Sequence, residues 1–130
     1  MILHIDTSDK SRIFVAILDK NKEIGSSTID AGFQHCEKLL PEIDNLLKGL
    51  KFSLKGIKGV NVVNYGASFT SLRIGVITAN AMGYALGIPV YAVDKNNVKK
   101  KGGVGKEFSI VKPEYGGVPN ILISKRSVVD

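Results

Sequence analysis

Few side chains in this sequence could do chemistry, and none of them form a familiar catalytic set. Asp6 closes the alternating run Leu3-His4-Ile5-Asp6 just before Thr7-Ser8, a turn signal. A carboxylate at a strand end could hold a divalent metal for phosphodiester hydrolysis, but a two-metal site needs roughly three or four clustered carboxylates. Asp30, Glu37 and Asp94 are the available companions, and their spacing makes no recognisable motif. The simpler expectation is that Asp6 accepts hydrogen bonds from the turn it precedes. His4 and His35 are the only histidines, 31 residues apart. His35 is expected to cap or orient a helix. It cannot form a catalytic pair with Cys36, because neighbouring helical side chains point apart. Gly102-Gly103-Val104-Gly105-Lys106 superficially resembles a phosphate loop, but Glu107 follows the lysine where Ser or Thr belongs and no clear strand leads into it. No catalytic, cofactor-binding or metal-binding residue is therefore assigned.

Composition narrows the class. With 130 residues, 44% of them hydrophobic, the chain can build one ordinary core. No apolar run reaches the roughly 18 residues of a membrane-spanning helix. Met1 leads straight into Ile2-Leu3-His4 without a basic segment or cleavage site, so the expected location is the cytoplasm. The single cysteine excludes an internal disulfide and a multi-cysteine metal site, and packing is its expected role. Net charge is +6 and uneven. Residues 1–94 hold 10 Lys/Arg against 9 Asp/Glu, and residues 95–130 hold 8 against 3. The basic tail could meet RNA phosphates or be a solvated Lys/Gly linker; both readings stand.

The elements that would position these residues follow from periodicity. Leu3 to Asp6, Ile13 to Leu18 and the more polar Glu23 to Asp30 read as three strands of an antiparallel meander, the last at a sheet edge. Cys36, Leu39, Leu40, Ile43, Leu46, Leu47 and Leu50 recur at helical steps, and Pro41 predicts a kink or the true helix start. Lys58 to Asn64 reads as a central strand. Ser68 or Thr70 can cap a second helix running to about Leu86, stopped by Gly87-Ile88-Pro89, and Val90 to Val93 is a further strand. The order β-β-β-α-β-α-β implies a mixed five-stranded α/β sheet with helices packed on it, a ribonuclease H-like lobe of the actin-like ATPase kind. In the tail, Phe108 to Val111 and Asn120 to Ser124 are expected as short strands.

The second helix carries the most information. Between Leu72 and Leu86 the polar residues are Arg73, Thr78 and Asn80, with Tyr84 amphipathic, so the helix must be covered on more than one side. Gly75, Ala79, Gly83 and Gly87 form a side-chain-poor stripe. Each mid-helix glycine costs about 1 kcal/mol relative to alanine, so another backbone should approach closely there. That backbone belongs either to the sheet below or to a partner helix, and the apolar surplus favours the partner. With Leu39, Leu40, Ile43 and Leu47 of the first helix, the stripe would form a flat two-helix interface.

These segments resemble one family. Leu3-His4-Ile5-Asp6-Thr7-Ser8 is similar to the opening IDTS strand of TsaB (YeaZ) proteins. His35-Cys36-Glu37-Lys38-Leu39-Leu40-Pro41-Glu42-Ile43 is similar to their H-S-E-x-L-L-P-x-I helix, and Ser68-Phe69-Thr70-Ser71-Leu72-Arg73-Ile74-Gly75 to their signature G-P-G-S-F-T-G-L-R-I-G. Leu86-Gly87-Ile88-Pro89-Val90 matches the end of the next helix. The resemblance implies a non-catalytic subunit that pairs with the catalytic TsaD through its two helices and works with the ATPase TsaE to place threonylcarbamoyl on an adenosine of tRNA. It also implies homodimers through the same helices, only indirect tRNA contact, and no membrane contact. The H-x-x-x-H metal helix of TsaD is missing. On this reading the interface comprises Leu39, Leu40, Ile43, Leu47, Arg73, Gly75, Ala79, Met82, Gly83 and Leu86, with Ser68, Phe69 and Thr70 as the signature loop. The chain departs from the family at Tyr65-Gly66-Ala67, where G-P-G is usual, and at Ser71, where glycine is usual. Residues 1–94 are expected as the lobe and 95–130 as a basic linker plus short strands, the remnant of a second lobe whose P-x-Y segment Lys112-Pro113-Glu114-Tyr115 resembles. The alternatives are a ribonuclease H-like, metal-dependent nuclease using Asp6, or a homodimeric scaffold for another partner.

Overall fold

The structure, a computed structural model, describes residues 1–66, 68–94, 111, 112, 114 and 115. Strands β1 (Ile2–Asp6), β2 (Arg12–Asp19) and β3 (Lys22–Asp30) form the antiparallel meander. Lys20 and Asn21 make the β2–β3 turn, both at positive φ (53° and 65°). That conformation suits a two-residue hairpin because its twist follows that of the strands. Helix α1 (His35–Gly49) and a short 3₁₀ turn (Leu54–Gly56) lead to β4 (Gly59–Val63), which lies parallel to β1. After the two-residue β5 (Tyr65–Gly66), helix α2 (Phe69–Leu86) crosses over to β6 (Val90–Val93), parallel to β4. The sheet order is β3-β2-β1-β4-β6, the mixed five-stranded sheet expected from the sequence.

Alternation along the strands assigns the two faces. Leu3 and Ile5, Ile13, Val15 and Ile17, Val60 and Val62, and Val90 and Ala92 all join one core cluster with Leu39, Ile43, Leu46 and Leu47 of α1 and Val76 and Ala79 of α2. The other face carries His4 in register with Asn61, and Asn61 with Tyr91. Ala16, Leu18, Val63 and Val93 are buried there as well. A strand buried on both faces needs no polar alternation, which is why β4 has a single polar side chain, Asn61. The polar β3 is the sheet's edge strand, as its composition predicts.

Three expectations are corrected. Helix α1 begins at His35 and continues through Pro41, so the proline does not mark its start. Pro41 is exposed, which lets water serve the carbonyl that loses its intrahelical donor. Cys36 is exposed and packs against no core: the buried stripe runs His35, Leu39, Ile43, Leu46 and Leu47. The glycine stripe of α2 faces the chain's own sheet. A Cβ on Gly83 would lie 2.4 Å from Val90 Cγ2 and 3.1 Å from the Ile88 carbonyl oxygen. One on Gly75 would lie 2.2 Å from Thr7 Oγ1, and Ala79 is fully buried in the same core. The backbone whose approach these small residues permit is therefore intramolecular.

In the tail, β7 (Glu114–Tyr115) pairs in parallel with β5. Val111 belongs to no strand, although its side chain is buried in the helix-side core. The expected strand Asn120 to Ser124, most of Phe108 to Val111 and the Gly102 to Lys106 run lie outside the described residues, as does most of the 95–130 segment.

Candidate functional site

The turn after β1 and the start of α2 are built as one unit. Thr7 is fully buried and its Oγ1 donates to the Ser71 carbonyl at 2.6 Å. Gly75, one turn further along α2, leaves the room that the Thr7 side chain fills. Ser68 is the N-cap of α2, but its side chain caps no backbone N–H; instead Ser71 Oγ donates to Ser68 Oγ at 2.5 Å. Ser71 thus ties the turn after β1 to α2 through its carbonyl and binds back to Ser68 through its hydroxyl. Asp6 does what the turn reading expects: its Oδ1 accepts from Ser8 N at 2.9 Å and Ser8 Oγ at 2.6 Å. Among the described residues no three or more His, Cys, Asp or Glu side chains are grouped to hold a metal ion. Asp6→Ala removes both turn bonds and is expected to lower stability by about 1–2 kcal/mol, read as a reduced urea midpoint.

His35 is 2% exposed and its Nε2 faces two carbonyl oxygens, Asp9 at 2.9 Å and Arg12 at 3.1 Å. Both are acceptors, so Nε2 carries the proton and the ring ties the start of α1 to the β1–β2 loop. This is an orienting role. His4 is buried and meets Phe14 edge-on, with ring centroids 5.8 Å apart.

The expected interface residues separate into two groups. Leu39, Ile43 and Leu47 are buried in the lobe's own core, as are Gly75, Ala79 and Gly83. Leu40 is 57% exposed, Arg73 is exposed, and Met82 and Leu86 are half-buried. Leu40, Met82 and Leu86 flank a groove of about 170 Å³ between α1 and α2, floored by Ile43 and Leu47. Asp44 stands on its rim and bonds Lys48 at 2.8 Å. That hydrogen bond and the carboxylate charge raise the Lys48 pKa, and so exposed a pair adds little stability.

The outer side of α2 continues the apolar surface. Ile77 is 61% and Tyr84 76% exposed, and exposed Ala81 and Ala85 lie one helical turn away, toward the groove. Sequence reasoning named neither Ile77 nor Tyr84 for the interface. The signal was there: in a helix apolar nearly all round, whatever the sheet does not bury must face outward. A second hollow, about 290 Å³, lies at the start of α2 between Lys10, Phe33, Phe69 and Ile74.

The comparisons with known proteins bear on this geometry. The family model described as "TsaD: tRNA N6-adenosine threonylcarbamoyltransferase" matches residues 27–98, a stretch containing both helices and the signature loop. The chain belongs to the TsaD/TsaB (YeaZ) family. Within it, the tRNA threonylcarbamoyladenosine biosynthesis protein TsaB of Buchnera aphidicola is 32% identical over 93 residues, covering 72% of this chain and 43% of that protein. An uncharacterised protein of Mycobacterium tuberculosis is 39% identical over 66 residues, 51% of this chain and 31% of its own length. YeaZ from Pseudomonas aeruginosa superposes with a TM-score of 0.65 at 27% identity, over 72% of this chain and 43% of that one. The chain thus spans less than half the length of these relatives. No helix of the described residues is long and apolar enough to cross a membrane.

Proposed function

We propose that this chain works in tRNA threonylcarbamoyladenosine synthesis as a non-catalytic, TsaB-like subunit that docks a TsaD-type catalytic subunit on the outer face of α1 and α2. The observation that carries this reading is the contiguous apolar surface formed by Leu40, Met82 and Leu86 around the groove and by Ile77, Ala81, Tyr84 and Ala85 beyond it. Exposed apolar patches of this kind on a small lobe mark association surfaces. A pair of helices offering a groove flanked by knobs suits another helix pair. Arg73, at the start of the same face, would supply a charge-assisted bond to a partner carboxylate. The docking face is supported from below: Ser71, which stands where the family usually has glycine, and the signature residue Gly75 fix α2 beside β1 through Thr7, which sets the height and tilt of the exposed side. A TsaE-type ATPase would join through the assembled pair, and a homodimer would use the same face when the partner is absent.

Size-exclusion chromatography with light scattering, on the chain alone and mixed with a TsaD-type subunit from the same source, tests the proposal. A one-to-one complex is the expected result. A chain that stays monomeric in the mixture would defeat it.

A further inference from the structure

Asparagine is a poorer helix-interior residue than alanine, yet Asn80 sits in the middle of α2. Its carboxamide bonds at both ends to one residue far along the chain. Asn80 Nδ2 donates to the Val111 carbonyl at 2.8 Å, and Asn80 Oδ1 accepts from the Val111 N–H at 2.9 Å. A side-chain amide here makes the pair of bonds that a neighbouring strand would make with its backbone. Next along, Asn64 Nδ2 donates to the Lys112 carbonyl at 2.7 Å. Then β5 pairs Tyr65 with Glu114 and Gly66 with Tyr115 in parallel register. The Val111 side chain is enclosed by the lobe, 6% exposed, while Lys112 is exposed.

We infer that Asn80, Asn64 and β5 form a strand-docking cleft that takes an extended peptide with a small β-branched side chain at its buried position. In this chain the cleft is filled by Val111, Lys112, Glu114 and Tyr115. The inference is independent of the tRNA role and of the apolar face, because Asn80 and Asn64 belong to neither. The asparagine bonds of the cleft and the β5 pairing go to main-chain atoms, so affinity comes from the backbone and selectivity from the valine pocket, as in strand addition to a sheet edge. Such recognition does not require the strand to be covalently attached. A tethered segment holds the cleft at a millimolar effective concentration, so a free peptide enters only when the tethered one is released.

The test uses the full chain, its Val111→Asp variant and a fluorescent synthetic peptide with the native sequence of residues 108–118. The aspartate cannot occupy the apolar pocket without loss, so the variant should release its own segment. By polarisation, the variant should bind the peptide roughly 100-fold tighter than the native chain does. Adding Asn80→Ala to that variant should abolish the gain. Equal peptide binding by the native chain and the Val111→Asp variant would overturn the inference. Hydrogen exchange on the native chain gives a reading that does not depend on how the variant folds. The Val111 amide should exchange slowly, and lose that protection in Asn80→Ala. Exchange at the rate of an unstructured amide in the native chain would also overturn it.

Discussion

Gly83→Leu is expected to destabilise the isolated chain by about 3 kcal/mol or more, at the upper end of overpacking costs. The leucine Cβ alone would stand 2.4 Å from Val90 Cγ2 and 3.1 Å from the Ile88 carbonyl oxygen. The first neighbour is a side chain buried in the central core and the second is backbone, so neither can give way cheaply. The helix would have to lift from β6, opening the core around Val76 and Ala79. A loss of that size is a large fraction of the roughly 5–15 kcal/mol by which domains are stable. Urea denaturation followed by circular dichroism checks it. Gly49→Ala is the control: a Cβ there meets nothing within 4 Å, so it should be neutral or stabilising by up to about 1 kcal/mol. Equal midpoints for native and Gly83→Leu chains would mean that α2 does not rest on β6 through its glycines.

The double variant Ile77→Asp, Tyr84→Ser is expected to weaken the complex with a TsaD-type subunit by about 100-fold or more while leaving the fold intact. Both side chains are mostly exposed, and surface substitutions usually change stability by only about 0.5 kcal/mol. At an interface, a single central aromatic or aliphatic anchor is worth about 2 kcal/mol or more. Because a factor of ten corresponds to about 1.4 kcal/mol, losing two anchors gives the expected drop even if their effects overlap. Titration calorimetry measures the affinity and a thermal melt verifies the fold. Lys22→Glu, on the far edge strand β3, should change neither. Native affinity in the double variant would place the docking surface elsewhere on the lobe.

These two predictions concern the same helix and have opposite characters, and the difference lies in what was legible in the sequence. The strand-helix order was readable because β2 and β6 are apolar and rich in β-branched residues, while α1 repeats at helical steps. The family motifs were readable as residue strings, and Asp6 as a turn acceptor followed from Thr7-Ser8 behind it. The small residues of α2 were visible too, as was its apolar excess.

Which of those faced inward was decided by the tertiary structure. A helix apolar nearly all round has no polar side to mark its outside, so Gly75 and Gly83 looked better suited to a partner than to the sheet. Packing resolves it: only small residues let α2 descend onto Thr7 and Val90, so they take the inner side and Ile77 and Tyr84 are left on the outer. Cys36 shows the same limit on α1, where a stripe drawn at 3- and 4-residue steps has two edges and the sheet buries the one containing His35. The docking of Val111 on Asn80 leaves no trace in periodicity at all, because an amide side chain there grips backbone atoms that every sequence supplies. By itself, the sequence determined the two helices and five strands of the main sheet, their order and the family, but not the short pair β5 and β7. Which apolar surface stays open, and which strand the lobe holds, follow from how closely two backbones approach, and only the folded chain determines that distance.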